Sequence, residues 1–154
     1  MLKVGTKAPD FKLLDQDGKE QKLSSYADSL VLIYFYPKDD TPGCTKEACA
    51  IRDAYKDFER AGVKVFGISK DSVESHKKFQ KKYDLPFTLL SDPKREVITK
   101  YDAVKEIFGN LGTKRISYLL GPKNIIVKVY PKVDPITHGG EILKDVYGLS
   151  SEKE

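Results

Sequence analysis

Val31-Leu32-Ile33-Tyr34-Phe35-Tyr36 is an unbroken run of apolar and aromatic residues, stopped by Pro37. A strand with one wet face alternates. A strand without polar residues on either face belongs inside a sheet that is covered on both sides. The period then changes: from Thr45 on, Ala48, Ile51, Tyr55 and Phe58 recur at helical spacing between charged residues, and Gly62 supplies a stop. Val63 to Ser69 reads as a second strand. Strand, helix and strand in that order require a right-handed crossover and parallel pairing. The class is α/β.

The flanking segments fit around that unit. Phe11 to Leu14, Asp17-Gly18 and Gln21 to Leu23 form a short hairpin turned by the Asp-Gly pair. Asp71-Ser72 opens a helix with Val73, His76, Phe79 and Tyr83 on one face, closed by Leu85-Pro86. A short strand (Phe87 to Leu90), a short helix (Glu96 to Tyr101) and a Gly-bearing loop (Phe108 to Lys114) follow. Ile116 to Leu120 and Ile125 to Tyr130 make a hairpin across Gly121-Pro122-Lys123-Asn124, and Gly140 to Leu149 is a final helix. Domains commonly run to about 100–150 residues, so residues 1–154 are expected to form a single domain. The element order is that of a thioredoxin-like fold, a central mixed sheet flanked by helices, with the first hairpin as an N-terminal extension.

Composition narrows the function. No stretch approaches the roughly 20 apolar residues of a membrane-crossing helix. Met1-Leu2-Lys3-Val4-Gly5 lacks a charged-then-apolar signal pattern. A cytoplasmic protein without a membrane partner is the expectation. The net charge of +4 comes from 27 basic and 23 acidic residues that are well interspersed. The densest cluster, Lys77, Lys78, Lys81 and Lys82, shares its helix with Glu74 and Asp84, as a solvated face does, so no nucleic-acid partner is expected. Two cysteines are too few for a disulfide scaffold. A structural zinc takes about four N or S ligands, and Cys44, Cys49, His76 and His138 are the whole supply, with the histidines far from the cysteines in different elements. No zinc site is expected.

Both cysteines lie in the stretch from Pro37 to Cys49, where the apolar strand gives way to a helix. A thiol there sits among unpaired N–H groups at the positive end of the helix, which favours the thiolate and hence reactivity. The hydroxyl of Thr41 is placed to donate to the sulfur and then to a bound oxygen. A guanidinium from elsewhere would stabilise the thiolate and a leaving oxygen. Of four arginines, Arg115 begins a sheet strand, whereas Arg52, Arg60 and Arg95 fall on exposed helical positions. A thiolate oxidised to sulfenic acid condenses with a nearby thiol, and Cys49 is the one at hand. Five residues along an ideal helix put two Cα atoms roughly 8–9 Å apart, and a disulfide needs less than about 7 Å. Segment 41–50 is therefore expected to be ordered when reduced and rearranged when oxidised. Other readings stay open: a dithiol reductase, a binding module of the same fold, or two inert buried thiols, with Cys49 alone as a core residue. His76 is expected to pack in the core, His138 to cap the last helix, and Tyr34 and Tyr36 to fill the core.

The segment resembles the peroxiredoxin family. Pro37-x-x-x-Thr41-x-x-Cys44 fits its motif, and the string Thr41 to Cys49 is similar to the Q-type, or bacterioferritin-comigratory, subfamily. Gly5-x-x-Ala8-Pro9-Asp10-Phe11 and Arg115-x-Ser117-Tyr118 extend the likeness over most of the chain. One departure is Leu120-Gly121-Pro122-Lys123-Asn124, where the family has Asp and Gly in the turn. The resemblance implies a thiol peroxidase acting on hydrogen peroxide and organic hydroperoxides, re-reduced by thioredoxin or a similar dithiol, with no metal or bound cofactor; monomer and weak homodimer both stay open. It implies that Cys44 is the peroxidatic cysteine and Cys49 the resolving one, with Thr41 and Arg115 as the activating pair. Pro37 and Pro42 would shield the sulfur. Glu47 fits the motif and is expected only to favour the first helical turn.

Overall fold

The computed structural model describes residues 1–152; residues 153 and 154 of the expected 1–154 domain lie outside the described residues. Seven strands join one mixed sheet, in the order β2-β1-β5-β4-β3-β8-β9. These are β1 (Lys12–Asp15), β2 (Glu20–Lys22), β3 (Leu30–Phe35), β4 (Val63–Ser69), β5 (Thr88–Ser91), β8 (Ile116–Leu120) and β9 (Ile126–Tyr130). β3 runs parallel to β4, and β4 to β5, while β8 lies antiparallel on the other side of β3. The apolar run is thus the middle of the sheet. Its alternate residues serve two cores: Leu32, Tyr34 and Tyr36 face one, and Val31, Ile33 and Phe35 the other.

Helices cover both faces. α1 (Pro42–Asp53), α2 (Tyr55–Arg60), α3 (Val73–Tyr83) and α5 (His138–Glu152) are set by Ile51, Phe58, Phe79, Ile142 and Val146 in the first core. The second core is closed by α4 (Glu96–Lys100), through Val97 and Ile98, and by Ala8, Phe11 and Leu23 of the N-terminal segment. The helix expected from Thr45 to Gly62 starts earlier, since Pro42 fits a first helical position, and it breaks at Ala54 (φ −95°, ψ 0°). Gly62, at φ +73°, is the expected stop. Ser72 caps α3 by accepting from the Ser75 N–H.

The loop expected from Phe108 to Lys114 is instead a hairpin, β6 (Val104–Ile107) against β7 (Asn110–Thr113). Its two turn residues, Phe108 and Gly109, both have positive φ, as a type I′ turn requires. Phenylalanine is a poor signal for that turn, and a hairpin exposed on both faces shows no alternation to read. The β8–β9 hairpin forms in spite of its unusual turn, with Lys123 and Asn124 at positive φ. The last helix begins at His138, two residues before the expected Gly140.

Candidate functional site

Cys44 is the third residue of α1, after Thr41 at the N-cap and Pro42-Gly43 in the first turn. The thiol is therefore among the unpaired N–H groups of the helix start, as its position after the apolar strand implies. It is buried, with 2% of its surface exposed. Arg115 comes to it from across the sheet. β8 pairs antiparallel with β3, Ile116 opposite Phe35, so the residue before Ile116 lies beside the end of β3 where the chain turns into α1.

The guanidinium is used as a fork. Nη2 donates to Sγ of Cys44 at 3.2 Å and Nη1 donates to Oε1 of Glu47 at 2.9 Å. Cys44 and Glu47 are three residues apart on α1 and so share a face. Glu47 is 1% exposed, and its second oxygen is buried without a partner. Burial pushes the Glu47 carboxyl up to about 7, against the pull of Arg115. Arg115 is held above the ordinary arginine range by its bonds to Cys44 and Glu47, which outweigh its own partial burial. Glu47 lies in the second turn, so its expected service to the first turn is replaced by a different one: it aims the guanidinium. The i, i+3 spacing from Cys44 was the available signal.

Gly43 makes room for this fork. A Cβ built there would meet Arg115 Nη2 at 3.0 Å. Gly43→Ala is expected to push the guanidinium off the sulfur and slow alkylation of Cys44 several-fold, with little change in melting temperature, since the helix gains a better former. Alkylation timed by mass spectrometry checks this; an unchanged rate would mean that the fork shifts without cost.

Thr41 is three residues before Cys44, as expected, but its hydroxyl donates to the Lys38 carbonyl at 2.8 Å and not to the sulfur. The turn closes on itself first, and the oxygen's lone pairs remain to accept. Pro37 is half-buried at the end of β3 and Pro42 is exposed at the first helical position. Cys49 is half-buried further along the same helix, and both thiols are free. The other arginines are engaged or distant: Arg52 Nη1 donates to the Tyr83 carbonyl at 2.7 Å, Arg95 Nη2 to the Leu111 carbonyl at 3.2 Å, and Arg60 is exposed.

Tyr34 and Tyr36 are core residues, stacked with ring centroids 5.4 Å apart. Gly67, opposite Tyr34 on β4, leaves space for its ring; a Cβ there would lie 2.7 Å from Cζ. His76 is buried as expected, and is also hydrogen-bonded to Asp39 and to the Leu90 carbonyl. His138 does not act as an exposed cap. Its ring is buried against Tyr130, with Nε2 2.8 Å from Ser117 Oγ, and burial pushes it below the ordinary histidine range. Neither histidine is hydrogen-bonded to a cysteine.

A thiol at a helix start, forked to a guanidinium that a buried carboxyl backs, is suited to nucleophilic attack on an oxygen whose leaving partner needs positive charge. Comparison with known proteins agrees. The AhpC/TSA family model matches residues 4–129. A chloroplastic peroxiredoxin Q of rice, Oryza sativa subsp. japonica, is 45% identical over 146 residues, covering 94% of this chain and 67% of the rice protein. The peroxiredoxin bcp of Coxiella burnetii is 45% identical, covering 92% of this chain and 97% of its own. Among solved structures, the bacterioferritin comigratory protein of Xanthomonas campestris superposes with a TM-score of 0.85 at 34% identity over 90% of each chain. That structure was described for its alkyl peroxide reduction activity, with trapped intermediate and ligand complexes.

Proposed function

The chain belongs to the AhpC/TSA family, among peroxiredoxins of the Q or bcp kind, and we propose that it reduces hydroperoxides with Cys44 as the attacking thiolate. The bond from Arg115 to Cys44 carries this reading. In the reaction the Cys44 sulfur attacks one peroxide oxygen, the O–O bond breaks, and the other oxygen leaves as water or alcohol after taking a proton. Nη2 of Arg115, already on the sulfur, is placed to follow the negative charge onto the leaving oxygen. Thr41 serves as an acceptor toward the bound peroxide, since its own hydrogen is committed to Lys38. Pro37 and Pro42 bound the turn and helix start that frame the sulfur.

Cys44 then carries a sulfenic acid. Cys49 attacks it, water leaves, and a Cys44–Cys49 disulfide results. α1 is continuous from Pro42 to Asp53, which keeps the two Cα atoms roughly 8–9 Å apart, so residues 41–50 must leave the helix for the bond to close. A dithiol reductant of the thioredoxin kind returns both thiols by exchange. That cycle passes through free thiols, which supports a reducing compartment such as the cytoplasm. Two cysteines on one helix need no second subunit to close the bond, which supports a monomer or weak homodimer.

Stoichiometric peroxide is expected to remove two free thiols per chain. Mass mapping should then find Cys44 joined to Cys49, with amide exchange faster across 41–50 and unchanged in β3 and β4. A Cys49→Ser protein should stop at the sulfenic acid and go no further with thioredoxin. If it cycles as fast as the parent, the resolving role of Cys49 is wrong.

A further inference from the structure

The turn between β3 and α1 is held by a buried network that the reaction steps do not use. Oδ1 of Asp39 accepts from the Tyr36 hydroxyl at 2.6 Å, and Oδ2 accepts from Ser75 Oγ at 2.8 Å. His76 Nδ1 lies 2.7 Å from the same Oδ2, and the Asp39 N–H donates to Asp71 Oδ2 at 2.9 Å. On its other side, His76 Nε2 is 3.0 Å from the Leu90 carbonyl. That carbonyl only accepts, so Nε2–H donates to it and Nδ1 is left for Asp39, with one proton held between the pair. Both side chains are shut away from solvent, at 0% and 4% exposure.

A core histidine could be packed with far less. Here one continuous line of bonds runs from the backbone of β5 through α3 to the turn, and on to the Tyr36 side chain beyond β3. The line ends two residues before the N-cap of α1. The intervening residue, Asp40, takes positive φ (56°) and is tied by its carboxylate to Lys82 and Tyr83 at the far end of α3. The turn is therefore bound to both ends of α3. None of these groups touches the Cys44 sulfur, yet all of them act on the backbone that sets where α1 begins.

We infer that His76 is a positioning residue for the chemistry at Cys44: through Asp39 it fixes the 37–41 turn, and with it the placement of the first turn of α1 against Arg115. This rests on Cys44 being the peroxide-reactive thiol. The Asp39–His76 pair also serves as the stationary end from which segment 41–50 unwinds. Removing the imidazole leaves the Asp39 carboxylate buried without its main partner, and the turn relaxes to reach water.

The test uses the reduced full-length protein and its His76→Leu, His76→Asn and Ser75→Ala variants. Each is mixed with hydrogen peroxide, quenched by alkylation and read by mass for Cys44 oxidation; alkylation rates of Cys44 and Cys49 are a second readout. A displacement of about 1 Å at a reacting group is enough for a loss of order tenfold to a hundredfold. His76→Leu is expected to lose at least about tenfold in the Cys44 oxidation rate constant, with Cys49 alkylation unchanged. His76→Asn, whose amide stands where Nδ1 stood and still donates to Asp39, should recover most of the rate. Ser75→Ala should fall between, and it carries the test if His76→Leu does not fold. A folded His76→Leu or Ser75→Ala protein that melts lower but oxidises at the parental rate overturns the inference. A parent protein that does not react with peroxide overturns the assignment of Cys44 instead.

Discussion

Arg115→Leu is expected to slow oxidation of Cys44 by hydrogen peroxide about 10²–10³-fold, against no turnover at all in Cys44→Ser. The guanidinium supplies one charged donor to the sulfur and a second to Glu47, 3.2 Å and 2.9 Å away. Leucine fills a similar volume along the side-chain stem and removes both. The attacking sulfur loses its nearest cation, and the leaving oxygen loses the donor placed to follow its charge. Arg115→Lys should recover only part of the rate, because a single ammonium can meet Cys44 or Glu47 but lacks the planar fork that meets both. Pairing Arg115→Leu with Glu47→Gln separates two contributions. If Glu47 acts only by aiming Arg115, the double variant is no slower than Arg115→Leu alone. The second-order rate constant under single-turnover conditions decides it, and Arg115→Leu within threefold of the parent would remove the guanidinium from the chemistry.

Much of this site is written locally. Val31 to Tyr36 placed a central strand, Pro37 ended it, and the helix after it put Cys44 at a helix start, because each signal spans only a few residues. Choosing Arg115 needed one further step, that a residue opening a sheet strand can be brought beside the end of another. What stayed hidden depends on side chains that meet across long separations. Asp39 and His76 are 37 residues apart, and nothing in the local pattern of either points to the other. Thr41 was misread for the opposite reason: its hydroxyl had a carbonyl three residues back, and short-range closure of the turn won over the sulfur. Glu47 looked like an ordinary helical acid because charged residues recur between the apolar positions of that helix. Its burial is tertiary: it shares α1 with Cys44, Ala48 and Ile51, which enter the first core, and meets Arg115 from 68 residues away. The β6–β7 hairpin lacked both alternation and a favoured turn pair.

Glu47→Gln is expected to flatten the dependence of stability on pH, and to gain about 3 kcal/mol on the parent between pH 4 and pH 8. The sign follows from where the proton sits. Unfolded, the carboxyl loses its proton near its ordinary value of 4.5; folded, burial raises that to about 7. Between those values the native state holds a proton that the unfolded chain has released, so the native state of the parent loses stability as pH climbs. The whole cost is in place above about pH 7, where a charge must be kept in a buried site with one oxygen, Oε2, unpaired. Glutamine keeps an oxygen for Nη1 of Arg115 and never ionises, so its stability carries no such slope. Urea unfolding of both proteins at pH 4.5, 6 and 8, compared as a difference curve, cancels the titrations they share. A flat difference would mean that Arg115 holds the carboxylate ionised throughout, and that the buried charge is fully compensated. A falling parent curve would instead show that burial of the Glu47 carboxyl outweighs the pull of Arg115, so that the native site holds it protonated well above the ordinary carboxylate range.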